Sequence, residues 1–394
     1  MNRVVGRRQL LAGAGAALVM SPLAGCSTTA TGRSPILGAN APRNLIPVRA
    51  STDLIGRITV CTRPFRPTGP RIEAEKFDAK TVIHNYGHGG SGWSLSWGSA
   101  EIALEKARAT GERDIAVIGC GALGLTTAVA AQRAGLNVTI YAKDLPPHVR
   151  SSLASGVWTP DSRICFEEHA TPELKQTWER MCRVTHAAYE NLLGLPGDPI
   201  EWIDNYRISD EPPGTQHERP KDDRPEFAEF QAELVPDLMP KREILKPGEH
   251  VFGNRWAARA PTIMFNVTAY SYFLLSQFRE AGGRIVIHEF HSPRDLAILP
   301  QNTLINCTGY AARELFGDQS LMPVRGQLAR GITQPDVRYG VYYKGVSFVP
   351  RRDGQVFQVV GDSDYYGFGN EATDPDRAEA EKAVTTIASL FLPA

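Results

Sequence analysis

Two glycine-rich strings lying close together in the chain are the residues most suited to chemistry. VIHNYGHGGSGWSLSWGSA occupies residues 82–100 and contains Gly87, Gly89, Gly90 and Gly92. DIAVIGCGALG occupies residues 114–124 and sets Gly119, Gly121 and Gly124 in GxGxxG register. In the second string the first glycine permits a tight turn and the second lets phosphate approach the backbone. The third lets a helix pack closely on a strand. A helix starting there offers unpaired N–H groups and partial positive charge to a pyrophosphate. The density of glycine in the first string demands unusual backbone angles or close approach of a ligand.

Both strings need elements to hold them. Residues 115–118 form a short apolar run of the fully buried, parallel type. Residues 125–135 have helical character and end on a glycine, and residues 137–141 form a second apolar strand. This is strand, turn, helix and strand at the length of a dinucleotide-binding unit. Residues 93–109 read as a second helix, with Leu95, Ala100, Ala103, Leu104 and Ala107 on its apolar positions. A natural turn, Thr110-Gly111-Glu112, joins that helix to the dinucleotide strand. The unit alone does not choose its nucleotide. Its second strand ends Tyr141-Ala142-Lys143-Asp144, and Lys143 is either a partner for a ribose phosphate, which argues for NADP, or a solvated surface charge. Further on, residues 303–305 and 341–350 read as strands and residues 373–394 as a closing helix.

The whole chain narrows the field. With 43 basic and 43 acidic residues among 394, there is no electrostatic case for a nucleic-acid partner. A twin arginine, Arg7-Arg8, precedes an apolar stretch at residues 10–20 that is too short for a stable membrane span and reads as an export signal. Leu23-Ala24-Gly25-Cys26 fits a bacterial lipobox with Cys26 as the lipidated residue, and residues 27–50 suit a flexible tether. The expected location is therefore the bacterial cell envelope, with membrane contact through the lipid alone. The five remaining cysteines show no metal-ligand spacing, so no metal is expected; most read as core thiols, with room for one or two bridges.

Taken together, the strings resemble the D-amino-acid oxidase family of FAD-dependent oxidoreductases, in a rearranged order. GHGG resembles the family's closing signature and DIAVIGCGALG its opening strand, so the chain reads as a circular permutant. SSLASGVW at residues 151–158 resembles the segment that contacts the pyrophosphate and flavin. Residues 288–297 match the strand that clasps the adenosine, and Asn306-Cys307-Thr308-Gly309 matches the late strand that returns to the cofactor. The resemblance implies a cofactor of FAD. Its contacts would be Gly119, Gly121, Ala122, Leu123, Gly124, Lys143, Ser151, Ser152, Ser155, Gly156, Val157, Phe290, Thr308 and Gly309, with Gly89, Gly90, Ser91, Gly92, Trp93 and Ser94 at the isoalloxazine end. A helix start aimed at N1 and the C2 carbonyl of a reduced flavin stabilises the charge that develops there.

The same resemblance supplies a substrate site. Cys61-Thr62-Arg63-Pro64-Phe65-Arg66-Pro67 places Arg63 where the family holds a substrate carboxylate in a bidentate clamp. VYYKGVSFVP, residues 341–350, resembles the strand that carries two active-site tyrosines; Tyr343 matches the first and Ser347 stands in place of the second. Alternation along one strand points Tyr342 to the other face. Gly90 and Trp93 would join Ser347 in the pocket, and the loop before Tyr343 looks shorter than the family's lid. The expected fold is α/β: a Rossmann-like FAD-binding domain (residues 57–165 and 260–320) intertwined with an antiparallel-sheet substrate domain (residues 166–259 and 321–394). The expected activity is oxidative deamination of a D-amino acid or related amine. Hydride would pass from Cα to flavin N5, giving an imino acid and then a keto acid and ammonia. Dioxygen is the expected acceptor. The alternatives are a quinone-linked dehydrogenase and a non-catalytic envelope flavin-binding protein. Oligomeric state is not legible.

Overall fold

The computed structural model describes residues 45–215 and 223–391. The export signal, Cys26 and the tether up to residue 44 lie outside the described residues. In chain order the strands are β1 (Ile55–Phe65), β2 (Ala74–Phe77), β3 (Lys80–His84), β4 (Asp114–Ile118), β5 (Asn137–Ala142), β6 (Ile200–Ser209) and β7 (Glu243–Leu245). They continue with β8 (Trp256–Phe265), β9 (Arg284–Ile287), β10 (Thr303–Asn306), β11 (Met322–Gly331), β12 (Tyr339–Tyr343), β13 (Val346–Val349) and β14 (Gln355–Val359). The helices are α1 (Ser96–Arg108), α2 (Ala122–Arg133), α3 (Pro172–Glu190), α4 (Gln231–Leu234), α5 (Val267–Glu280), α6 (Ala312–Leu315) and α7 (Arg377–Ala388).

Six strands form the nucleotide sheet in the order β2-β3-β10-β4-β5-β9. Its inner strands β3, β10, β4 and β5 are parallel neighbours. That explains their uninterrupted apolar runs: Ile115, Ala116, Val117 and Ile118 are buried together, as a strand covered on both faces requires. The helix α1 carries the chain from β3 to β4, and α2 carries it from β4 to β5. Small residues let these pieces approach. A Cβ on Gly124 would lie 2.1 Å from the carbonyl oxygen of Gly119, and one on Gly98 would lie 2.3 Å from the Cα of Met181, so α1 and α3 meet backbone to backbone. The start of α3 is set by Thr171, whose hydroxyl accepts from the Leu174 N–H, with Pro172 at the first helical position. Trp178, Met181 and Tyr189 of α3 are buried in the same core as α1 and α2.

The other sheet has eight strands, in the order β1-β11-β14-β13-β12-β6-β8-β7. One of its faces packs on α7 through Tyr206, Val341, Phe348, Phe357, Val384 and Ile387. A two-residue turn, Lys344-Gly345, joins β12 to β13 with φ of 46° and 68° at its two residues. Positive φ at both centres matches the right-handed twist of the flanking strands.

Four expectations change. The run at 341–350 is this hairpin and not one strand. The strand expected at residues 288–297 is not found there: β9 ends at Ile287, and residues 293–298 form a short 3-10 helix opened by Pro293 behind a Ser292–Asp295 capping box. β1 pairs along its whole length with β11, so residues 57–65 belong to the eight-stranded sheet, while α3 belongs to the nucleotide layer. Contacts run continuously through the described residues, which form one unit. All five cysteines among the described residues are free thiols.

Candidate active site

A cavity of about 440 Å³ runs between the two sheets. Its floor is the turn after β4. Gly119 has φ of 104°, and a Cβ there would stand 2.6 Å from the Cys307 carbonyl oxygen, so only glycine lets the turn pass under the end of β10. The N-cap of α2 is Gly121, which has no side chain to offer, and Gly121, Ala122 and Leu123 line the cavity. Lys143, Phe290 and the Thr308-Gly309 pair line it too. Lys143 pairs with Glu289 at 3.1 Å, both being more than half exposed. Such a pair contributes little to stability.

The GHGG loop closes the other end. Gly89 N–H donates to the Pro64 carbonyl and Gly90 N–H to the Ser162 carbonyl. Cβ atoms on these glycines would lie 1.9 Å from Arg163 O and 2.4 Å from Ser162 Oγ. Three loops are tied in series. Trp93 Nε1 donates to Ser151 O at 2.9 Å, and Ser151 Oγ accepts from Ala122 N–H at 2.9 Å. Ser151, Ser155, Gly89, Gly90, Gly92 and Trp93 all line the cavity. The remaining residues of these strings hold the walls from behind. Ser91 Oγ donates to Ser162 O and Ser94 Oγ accepts from Thr159 N–H. A Cβ on Gly156 would lie 2.6 Å from Phe265 O, Val157 bridges to Met264, Ser152 is buried beside Arg330, and Gly124 packs on Gly119.

Several observations fit an extended flavin dinucleotide here. The cavity joins two glycine loops and a helix start, and space is open where a Cβ would stand on Gly92 or Gly309. Buried His88 also lines it; Nε2 is bonded to Ser99 Oγ at 2.8 Å and Nδ1 has no partner. Because Ser99 donates to Asn85 Oδ1, the His88 Nε2 carries the proton and Nδ1 presents a lone pair. Burial pushes His88 down to about 3, so it is neutral and performs no acid–base work near neutral pH.

This burial has a pH signature. His88 is protonated in the unfolded chain below about 6.5 but not in the folded one, so stability is full above that pH and is lost as pH falls toward 3. Burial also lowers His84. The expected loss from His88 is about 1.4 kcal/mol per pH unit within that window. Urea unfolding of the holoenzyme at pH 7.5, 6.0 and 5.0 checks this; a level profile would mean that His88 accepts a proton while folded.

Arg63 lines the cavity from β1. Its Nη1 donates to Arg325 O at 3.2 Å, and its guanidinium lies across Gly326, where a Cβ would be 2.6 Å from Nη2. A glycine inside a strand marks this sort of close approach. Arg163 was not singled out by its sequence context. It is buried at φ of 53°, and Nε donates to Asp364 O at 2.6 Å while Nη2 pairs with the Asp364 carboxylate at 3.2 Å. Burial, with help from the charge of Arg63, lowers it to about 10 against the pull of Asp364. Arg163 therefore pins the loop after β14 beside Arg63.

Tyr343 does not reach the cavity. It is buried on the α7 side of the sheet, donating to Asp210 Oδ1 at 2.8 Å and accepting from Arg255 Nε at 3.2 Å. The tight turn is the cause: Ser347 faces Tyr342 across the hairpin, and Gln358 lies opposite Ser347 on β14. Opposed residues share a face, and Gln358 lines the cavity. Tyr342, not Tyr343, is thus the tyrosine on the cavity side. Tyr343→Phe is expected to lower unfolding stability by about 1 kcal/mol, the worth of a buried hydrogen bond, with kcat/KM within about two-fold of wild type; a loss of kcat/KM without loss of stability would return Tyr343 to the site. Among the described residues no cluster of three or more metal-ligating side chains occurs.

Comparison with known proteins identifies the family. The family model described as FAD dependent oxidoreductase (DAO) matches residues 114–394. A D-amino-acid oxidase from Rubrobacter xylanophilus is 28% identical over 278 residues, covering 70% of this chain and 76% of that protein. One from Dictyostelium discoideum is 25% identical over 292 residues, covering 71% and 74%. Among solved structures, L-proline dehydrogenase from P. horikoshii aligns with a TM-score of 0.46 at 12% identity, over 71% of this chain and 76% of that one. With a family match that spans the dinucleotide turn, the return strand and every strand of the eight-stranded sheet but β1, the chain belongs to the DAO family of FAD-dependent oxidoreductases.

Proposed function

We propose that this protein oxidatively deaminates a D-amino acid, with dioxygen as the electron acceptor. The observation that carries the reading is that Arg63 lines the same cavity as the Gly119-Gly121 turn and the GHGG loop. FAD, when bound, supplies the two-electron acceptor for oxidation of the Cα–N bond. The protein positions. Gly119, Gly121 and the start of α2 would hold the pyrophosphate, and residues 89–93 would hold the isoalloxazine end. Arg63 binds the substrate carboxylate through paired donors, Gly326 leaves room for that guanidinium, and the Gly89 N–H bond to Pro64 fixes β1 against the cofactor loop. Orientation lowers the barrier by holding Cα in one place. No basic side chain is needed if the amine arrives unprotonated, in keeping with the neutral His88.

The test is anaerobic mixing of purified holoenzyme with D-alanine, D-glutamate and D-lysine while the flavin band is followed. Bleaching supports the reading; a band unchanged by every amino acid and amine removes it. Peroxide at one equivalent per turnover in air identifies dioxygen as acceptor, and its absence in favour of a quinone reverses that choice.

Two further parts of the reading come from the strings. Twin-arginine export and lipidation at Cys26 place the enzyme in the cell envelope, to be checked by mass spectrometry of the membrane-released N-terminus. The gene order is a circular permutation. In support, residues 55–108 precede the family match at 114–394 yet contribute β1, β2, β3 and α1, and Leu45 and Phe391 pack against one apolar cluster. A gene starting at Asp114, with residue 391 joined to residue 45 by a short glycine-serine linker, is expected to fold and bind FAD with stability within about 2 kcal/mol of the natural order, since loop closure grows slowly with length. An insoluble, colourless product would count against it.

A further inference from the structure

We propose that Arg207, at the far end of a polar row leading out of the cavity, binds an anionic group on the substrate side chain, so that the enzyme selects amino acids with a distal carboxylate. The inference rests on the deamination reading and gives it a substrate class. The row follows from strand register. Gln358 on β14 lies opposite Ser347 on β13, Ser347 lies opposite Tyr342 on β12, and Tyr342 pairs with Arg207 on β6. All four share the face that Gln358 presents to the cavity.

Each member contributes a property. Ser347 is small and half-buried, so the row stays open where a large side chain would close it. Tyr342 directs its hydroxyl to Gly361 O at 3.4 Å, a long contact that leaves the phenol available. The Arg207 guanidinium sits 4.2 Å from the centre of the Tyr342 ring, a cation–π contact that fixes its position. The nearby cations Arg255 and Lys344 are both committed to Asp210. Arg207 is exposed and has no ion pair among the described residues. A fixed guanidinium without a counter-charge among the described residues, reached by a polar path from the reaction cavity, is suited to a carboxylate.

Spacing bears on ligand length. The Arg63 guanidinium lies over Gly326 of β11 and that of Arg207 over Tyr342 of β12. β11, β14, β13 and β12 are consecutive, so these two strands are three strand spacings apart across the sheet, about 14 Å. D-aspartate is too short to reach both cations across that width, and D-glutamate and D-2-aminoadipate, one and two methylenes longer, are the acids to set against it.

The experiment compares kcat/KM of the holoenzyme for D-glutamate, D-2-aminoadipate, D-aspartate and D-norvaline in wild type, Arg207→Met and Arg207→Lys. Glutarate, an unreactive dicarboxylate, is titrated against the flavin spectrum as a second readout. Wild type is expected to prefer D-glutamate or D-2-aminoadipate over D-norvaline by at least about ten-fold. The methionine variant is expected to lose about 10- to 100-fold on the acids, at least ten-fold more than on D-norvaline, with part restored by lysine. Glutarate binding should weaken about ten-fold in the methionine variant. Equal handling of D-glutamate and D-norvaline, or an equal effect of Arg207→Met on both, would overturn the subsite and leave deamination standing. If no amino acid is turned over, the deamination reading falls, and glutarate binding indifferent to Arg207→Met then overturns the subsite as well.

Discussion

Arg63→Met is expected to raise KM for an amino-acid substrate by about 100- to 1,000-fold while the protein still purifies yellow. The guanidinium is the positive group from β1 that lines the cavity, and a carboxylate held by two charge-assisted bonds gains about 1.5–3 kcal/mol from each. Removing both donors costs about 3–4 kcal/mol of binding, which converts to that range. Methionine is close in length and apolar, so packing over Gly326 survives. Arg63→Lys should fall between, because an ammonium replaces the planar fork with a single point. Gly326→Ala should weaken binding about ten-fold by displacing the guanidinium, whose tip would sit 2.6 Å from the new methyl. Steady-state kinetics and titration with an unreactive carboxylate check all three; an unchanged KM in Arg63→Met would mean that the substrate carboxylate binds elsewhere.

The second large effect concerns the loop that closes the cavity. Gly89→Ala is expected to abolish FAD binding, giving colourless protein or none. A methyl there would stand 1.9 Å from the Arg163 carbonyl oxygen, a backbone atom in a buried segment. Neither side yields cheaply. Arg163 is held by Asp364, and Gly89 N–H is bonded to Pro64. Overpacking of this kind costs about 1–3 kcal/mol, and the positive φ of 54° adds about 1–2 kcal/mol for a residue with a Cβ. The local cost of about 2–5 kcal/mol falls on the loop beside the isoalloxazine end. Absorbance at the flavin band after purification with excess FAD is the measurement. A yellow, active Gly89→Ala enzyme would mean the loop can shift as a unit. Gly56→Ala is the control, since a Cβ there meets only Arg330 O at 3.8 Å, an ordinary contact away from the cavity.

What could be read from the residues alone follows physical lines. The β4-α2-β5 unit and the GHGG loop were legible because glycine spacing and apolar runs are local signals. The closing helix was legible for the same reason: its alanines and Ile387 recur at helical spacing, and α7 is found at Arg377–Ala388. The face of Tyr343 was not. On one continuous strand Tyr343 and Ser347 would share a side, but two turn residues between them make Tyr342 the partner of Ser347, and a slip of one residue reverses every side chain. Arg163 was invisible because its importance comes from Asp364, far along the chain. The assignment of β1 to the eight-stranded sheet likewise depends on pairing with β11, which no local pattern encodes.

The position of β10 has a consequence for how the chain acquires its shape. β3, α1, β4, α2 and β5 are contiguous in sequence, yet β3 and β4 do not touch as neighbours; β10 hydrogen-bonds to both. During synthesis the two halves of the nucleotide sheet emerge early and must wait, apart, for residues 303–306 to slot between them. Contacts of long sequence separation form slowly because loop closure precedes any gain. A nascent chain arrested before Thr303 would therefore hold two unjoined half-sheets with exposed inner edges, prone to capture by chaperones, while one released just beyond Asn306 could seal the breach.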